Sequence, residues 1–203
     1  LYIFLQILKY QSIIISIMKR TLLLFSTILT SMTFAQNCSD LFISEYVEGW
    51  SNNKALEIYN PTAASIDLSQ YVVIRYSNGS TTATSANAVQ LTGSVAAHDV
   101  YVAVLDKQDP NGTGQEAPVW DDLIAKADGF YCPVYNTSNA FYWNGNDAVV
   151  LAKGTASNSG SWVLVDVFGK IGEDPGTAWS SAFPYTGAGD LLTIDHSLIR
   201  KPA

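Results

Sequence analysis

The chain has 203 residues, with 11 basic against 18 acidic side chains and two cysteines. This length suits one domain of ordinary size plus a leader, and the negative charge repels phosphate backbones, so charge alone disfavours nucleic-acid binding. CxxC and Cys/His metal patterns are absent: His98 and His196 are the only histidines, and neither has a cysteine nearby.

Met18-Lys19-Arg20, the apolar run TLLLFSTILTSMTF and Thr33-Phe34-Ala35 before Gln36 have the three parts of a secretory signal peptide, Met18 to Ala35. The apolar run falls short of the roughly 20 residues that a membrane-spanning helix needs. Residues 1–17 begin with Leu and are expected to be translated from upstream of the true start. The chain thus divides into 1–17, a leader over 18–35 and a single domain over 36–203, secreted or held at the cell surface. Lys9, Lys19 and Arg20 leave with the leader and no acidic residue does, so the mature chain carries 8 − 18 = −10. Such an acidic body suits divalent cations better than polyanions, which makes calcium a possible ligand. In an exported chain Cys38 and Cys132 are expected to form a disulfide. It would close a loop of roughly a hundred residues, worth up to about 4–5 kcal/mol in the chain-entropy account.

The mature sequence alternates in the manner of strands. DLFISEYVE (40–48) and KALEIYN (54–60) flank the turn GWSNN, and QYVVIRYS (70–77) precedes the polar stretch NGSTTATSAN. AVQL (88–91), VYVAVLD (100–106), DAVVLAK (147–153), WVLVDVFG (162–169) and LLTIDHSLIR (191–200) follow. Short β-branched runs parted by Gly, Pro, Asn and Asp indicate an all-β sandwich or barrel. One helix is expected in APVWDDLIAKAD, with Pro118 in its first turn, Asp121 and Asp122 at its positive end, and Trp120, Leu123, Ile124 and Ala127 on one face. It lies in the long connection from Asp106 to Asn146, which Cys132 could staple to Cys38 ahead of the first strand. The chain reads as the N-terminal part of a longer protein.

Taken in order, LFISEYVEGWSNNKALEIYNPT, IDLSQYVVIRYSNG, LIAKAD…FYWNGNDAVVLAKG, VLVDVFGKIGEDPGTAWS and DHSLIRKP resemble the lamin-tail domains of secreted bacterial proteins, over most of residues 39–202. The resemblance implies an immunoglobulin-like β-sandwich without catalytic residues, serving as a binding or interaction module. Such modules stand in cell-surface proteins or beside nuclease, phosphatase or protease domains. The chain could therefore be a free-standing interaction module with a protein or cell-surface partner. Alternatively, it is the targeting domain of a secreted hydrolase whose catalytic half lies beyond residue 203. Relatives in nuclear lamins are associated with protein and DNA contacts, and the charge of this chain argues against the DNA part. One departure is Trp50, where a small residue is expected in the turn.

That turn sits in the most polar stretch of the domain. Strict alternation places Leu41, Ile43, Glu45 and Val47 on one face of the first strand and Phe42, Ser44, Tyr46 and Glu48 on the other. Glu45 would then lie among apolar neighbours and need a cation, for which Lys54 and Arg75 are candidates. Glu45, Glu48, Glu57 and Lys54 are accordingly expected to form a structural cluster that fixes register. A carboxylate pair alone does not make a hydrolase, which also needs a cleft and a set separation. Trp50, Asn52 and Asn53 are the candidate binding residues, since a tryptophan in a polar turn is hard to bury and tryptophan is enriched at contact sites. Asp106, Asp109, Asn111 and Glu116 are weak calcium candidates, because Gln108 and Pro110 fall where a calcium loop needs oxygen ligands. Asp195, His196 and Ser197 adjoin in sequence, but neighbours on a strand point to opposite faces and do not make a triad.

Overall fold

A computed structural model describes residues 39–201. Eleven strands occupy this span: β1 (Phe42–Glu48), β2 (Lys54–Tyr59), β3 (Ile66–Asp67), β4 (Tyr71–Tyr76), β5 (Ala88–Gln90), β6 (Ser94–Val95), β7 (Val100–Leu105), β8 (Gly129–Tyr131), β9 (Ala148–Thr155), β10 (Asn158–Phe168) and β11 (His196–Ile199). Five of them form one sheet in the order β11-β1-β2-β7-β8, four form a second in the order β10-β9-β4-β5, and β3 pairs with β6. Every pairing is antiparallel except β7 with β8. The expected all-β sandwich is what forms.

Between the two sheets lies the main core. Leu56 and Ile58 of β2 meet Val73 of β4 and Leu151 of β9, all fully buried. Tyr46 stacks on Phe168 with ring centroids 3.8 Å apart, and Trp143 packs against both Tyr46 and Phe141. The Trp143 indole N–H donates to the Val47 carbonyl at 3.0 Å, so its one polar atom is satisfied. Two of the three aromatics of FYWNGND thus fill the sandwich. The four-stranded sheet is covered on its far side too, by Trp162 and Ile171 over Val72, Ile74 and Val150. This explains why β4 is buried at every position rather than alternating.

A third, smaller apolar cluster covers part of the outer face of the five-stranded sheet. Ala55, Val104 and Val119 are its buried members, with Leu123, Ile124 and Ala127 packed on them. The expected helix is only one turn, α1 (Asp121–Ile124). Leu123, Ile124 and Ala127 pack inward as expected, but Trp120 does not join them. It caps the helix with extended backbone angles (φ −62, ψ 141), which takes it off the helical face and leaves it exposed.

The first strand departs from strict alternation at one point. A register shift between Ile43 and Glu45 leaves Ser44 as a bulge. Ile43, on the bulge's N-terminal side, bonds outside the ladder: its N–H donates to Asp166 Oδ2 at 2.8 Å and its carbonyl accepts from Arg200 Nε at 3.0 Å. Arg200 and Asp166 also pair with each other at 2.6 Å. Beyond the bulge the faces exchange. Ile43, Tyr46 and Glu48 are buried, while Glu45 and Val47 turn to the outer face.

Loop backbone is held by buried amides. Asn60 is fully buried; its Nδ2 donates to the Ala64, Val95 and Ala96 carbonyls, and its Oδ1 accepts from the Thr62 N–H and hydroxyl. Removing it strands several polar groups. Asn60→Ala is expected to lower unfolding free energy by about 2–3 kcal/mol in urea titration. A loss within about 0.5 kcal/mol would mean that water replaces the amide without penalty.

Candidate functional site

The β1–β2 turn packs its polar groups inward. Lys54 is buried, and its Nζ donates to the Gly49 carbonyl at 2.7 Å and the Ser51 carbonyl at 2.6 Å while pairing with Glu48 Oε1 at 2.6 Å. Glu48 Oε2 accepts from the Asp195 backbone N–H. Each charge therefore has an opposite charge and hydrogen bonds, as burial requires. The expected four-membered cluster is corrected to two separate groups. Glu48 and Lys54 form the buried pair, whereas Glu45 and Glu57 lie on the outer face. Arg75 serves neither: it sits 3.6 Å from Asp147 and donates to the Asn139 Oδ1 at 3.1 Å.

Asn52 and Asn53 are likewise turned inward and buried. Asn52 Nδ2 donates to the Gln115 and Ala117 carbonyls at 3.0 and 2.7 Å, which ties down the loop ahead of α1. Asn53 holds two tryptophan-bearing backbones at once. Its Nδ2 donates to the Trp50 carbonyl at 2.6 Å, and its Oδ1 accepts from the Trp120 N–H at 2.8 Å. The two asparagine side chains therefore position the site rather than present themselves to a ligand. Trp50 and Trp120 keep 69% and 62% of their surface exposed.

Both tryptophans line a groove of about 610 Å³ on the outer face of the five-stranded sheet. Its floor is set by register: Glu45, Glu57 and Val102 fall in one row across β1, β2 and β7, and Ser197, Val47 and Ala55 in the next across β11, β1 and β2. Leu123 and Lys126 from α1 and the residue run after it, with Asp195 and His196 ahead of β11, complete the lining. Burial, then the neighbouring Glu57 charge, push the Glu45 carboxyl above its ordinary value, against the opposing effects of Ser197 and Lys126. Glu57 Oε1 accepts from the Ser44 hydroxyl at 2.7 Å. His196 Nδ1 donates to the Ile194 carbonyl at 2.6 Å, and no hydrogen bond among the described residues joins it to Asp195 or Ser197 side chains.

The calcium candidates do not converge. Glu116 pairs with the buried Lys107 at 2.5 Å, Asp106 accepts from Gln108 Nε2 at 2.7 Å, and Asp109 caps its own turn through the Asn111 N–H at 2.9 Å. Among the described residues no group of three or more His, Cys, Asp or Glu is placed to hold a metal. Cys38 lies outside the described residues, as does the leader. Cys132 is buried at the end of β8 with its Sγ 3.3 Å from Ser138 Oγ, and is not disulfide-bonded among the described residues.

Two facing β-sheets around the main apolar core define an all-β sandwich, with the groove on the outer face of one sheet. A family model described as Lamin Tail Domain matches residues 35–169. The chain belongs to the lamin tail domain family, a family of non-catalytic immunoglobulin-like domains. Comparison with curated proteins finds no match. β11 and Arg200 lie beyond the matched span, so one edge of the groove is supplied by residues after it.

Trp120 as a groove residue was missed from sequence because helical periodicity placed it on the buried face. Its signal was Asn53, whose amide can only reach it in three dimensions.

Two substitutions test the site's architecture. Lys54→Met is expected to destabilise by about 3–5 kcal/mol because it leaves Glu48 buried and alone. Adding Glu48→Gln should recover part of that loss in the same denaturation series. Trp50→Ala, in contrast, should stay within about 0.5 kcal/mol of the parent, as expected of an exposed side chain.

Proposed function

We propose that this chain is exported and acts as a non-catalytic binding module, presenting the groove beside Trp50 and Trp120 to a protein or cell-surface partner. One observation carries this reading. Two large indoles are held open to solvent by a buried amide that bonds both of their backbones, at the rim of a groove, while Phe141 and Trp143 fill the core. Exposed tryptophan on a rigid scaffold suits contact, since it adds apolar area with little conformational freedom to lose. The leader pattern over Met18 to Ala35 supports export, and the family match beginning at residue 35 agrees with a domain that starts where the leader ends.

Fractionation of cells expressing the full chain should find it outside the cytoplasm with Gln36 as its first residue. An unprocessed cytoplasmic chain would overturn the export half of the proposal. For the binding half, the labelled mature chain (residues 36–203) is applied to intact cells of the producing strain. The Trp50→Ala/Trp120→Ala double variant is expected to lose roughly tenfold or more in affinity, as hot-spot tryptophans do. Its melting temperature should be unchanged. Equal binding by parent and double variant removes the groove from the function.

A further inference from the structure

The groove floor holds an electrostatic anomaly. Glu45 and Glu57 stand directly opposite each other on neighbouring antiparallel strands, an arrangement of like charges that weakens a sheet. Six carboxylates of the domain are neutralised by a cation, Glu48 by Lys54, Asp147 by Arg75, Glu116 by Lys107, Asp40 by Lys153, Glu173 by Lys170 and Asp166 by Arg200. Among the described residues neither Glu45 nor Glu57 makes an ion pair. The only lysine lining the groove, Lys126, stands against four carboxylates there, Glu45, Glu57, Asp122 and Asp195, so the lining carries −4 + 1 = −3 with His196 neutral.

Resting on the groove as the binding surface, we propose that its occupant is a short basic segment of a partner protein, with an arginine or lysine side chain seated over the Glu45–Glu57 pair beside Trp50 and Trp120. Three features of the lining fit such a side chain. The two carboxylates supply the missing counter-charge relation, and a guanidinium can bridge both. The indole faces attract a cation, more strongly once water is displaced. Val102, in the same row as the two glutamates, and Leu123 offer apolar contact to the aliphatic stem. A neutral oligosaccharide could stack on the indoles, but it would leave the two glutamates facing each other without a counter-charge. The groove's volume admits a few residues of extended peptide rather than a folded domain.

The arrangement implies opposite effects of one substitution. Glu45→Gln relieves the repulsion, so the free domain should melt at a higher temperature near neutral pH, while its affinity for a cation falls. A glutamate with only a structural role would not show both changes. The sign with pH follows from Glu45, whose ionisation opposes folding. The free domain gains stability as pH falls through its titration, and affinity for a cation falls over the same range. Glu57, Asp122, Asp195, His196 and Lys126 are the other charged or ionisable groups that face the same space.

The test uses the mature chain and tryptophan fluorescence with three probes: a Gly/Ser peptide carrying arginines, the same peptide with citrulline in their place, and a neutral hexasaccharide. The arginine peptide is expected to bind, more weakly as salt rises, with roughly tenfold loss on the citrulline exchange and a similar loss in Glu45→Gln. The proposal is overturned if the citrulline peptide binds as well as the arginine peptide, if Glu45→Gln binds unchanged, or if only the hexasaccharide binds. Cell binding that survives Glu45→Gln but is lost in Trp50→Ala/Trp120→Ala would sink the basic segment alone and leave the groove as the binding surface.

Discussion

The bulge at Ser44 decides which chemistry faces which side of this domain. One inserted residue in β1, held by the bonds of Ile43 to Asp166 and Arg200, turns Glu48 into the interior and Glu45 out of it. Without that insertion the side-chain alternation would carry Glu45 into the main core and Glu48 to the surface. The buried Glu48–Lys54 pair, the closure of the β1–β2 turn around Lys54 and the acidic floor of the groove all follow from the exchange. An Asp–Arg pair that joins β10 to the residue after β11 therefore bears on the electrostatics of the groove face.

From the turn outward, order is passed on by hydrogen bonds rather than by apolar packing. Lys54 fixes the carbonyls of Gly49 and Ser51, Asn52 fixes the loop at Gln115 and Ala117, and Asn53 joins the turn to the start of α1. The α1 turn is too short to be stable by itself. It is kept in place by this network and by Leu123 and Ile124 on the sheet. Indoles mounted on such a frame lose little freedom when a partner arrives, which favours binding without any change in contact area.

Much of the fold was legible because strand alternation, turn residues and apolar runs are local signals. The eight expected strands all occur, with ends shifted by a few residues, and the all-β sandwich follows from them. β3, β6 and β8 were not legible: each is two or three residues long, and their pairing depends on what the tertiary structure brings alongside. The face of Glu45 was misassigned because an inserted residue leaves no mark on the alternation of a sequence. Only a partner such as Arg200, 157 residues from Ile43, creates the reason for it. Trp50 was legible as an exposed indole in a polar turn. Asn52 and Asn53 were correctly tied to that turn, but their roles were reversed, because a short amide serves a ligand or its own backbone equally well until the surrounding carbonyls are known.

The position of β1 between β2 and β11 has a consequence for the order of events in synthesis. The N-terminal strand emerges first, yet one of its two edges stays open until residues near the far end of the described chain arrive and pair with it. Contacts of such sequence separation demand loop closure before they give any return, so the sandwich closes late and slowly relative to its local hairpins. On the proposal that the chain is exported, a first sheet left incomplete until β11 is delivered would keep the polypeptide unfolded, and so transportable, for longer on the inner side of the membrane.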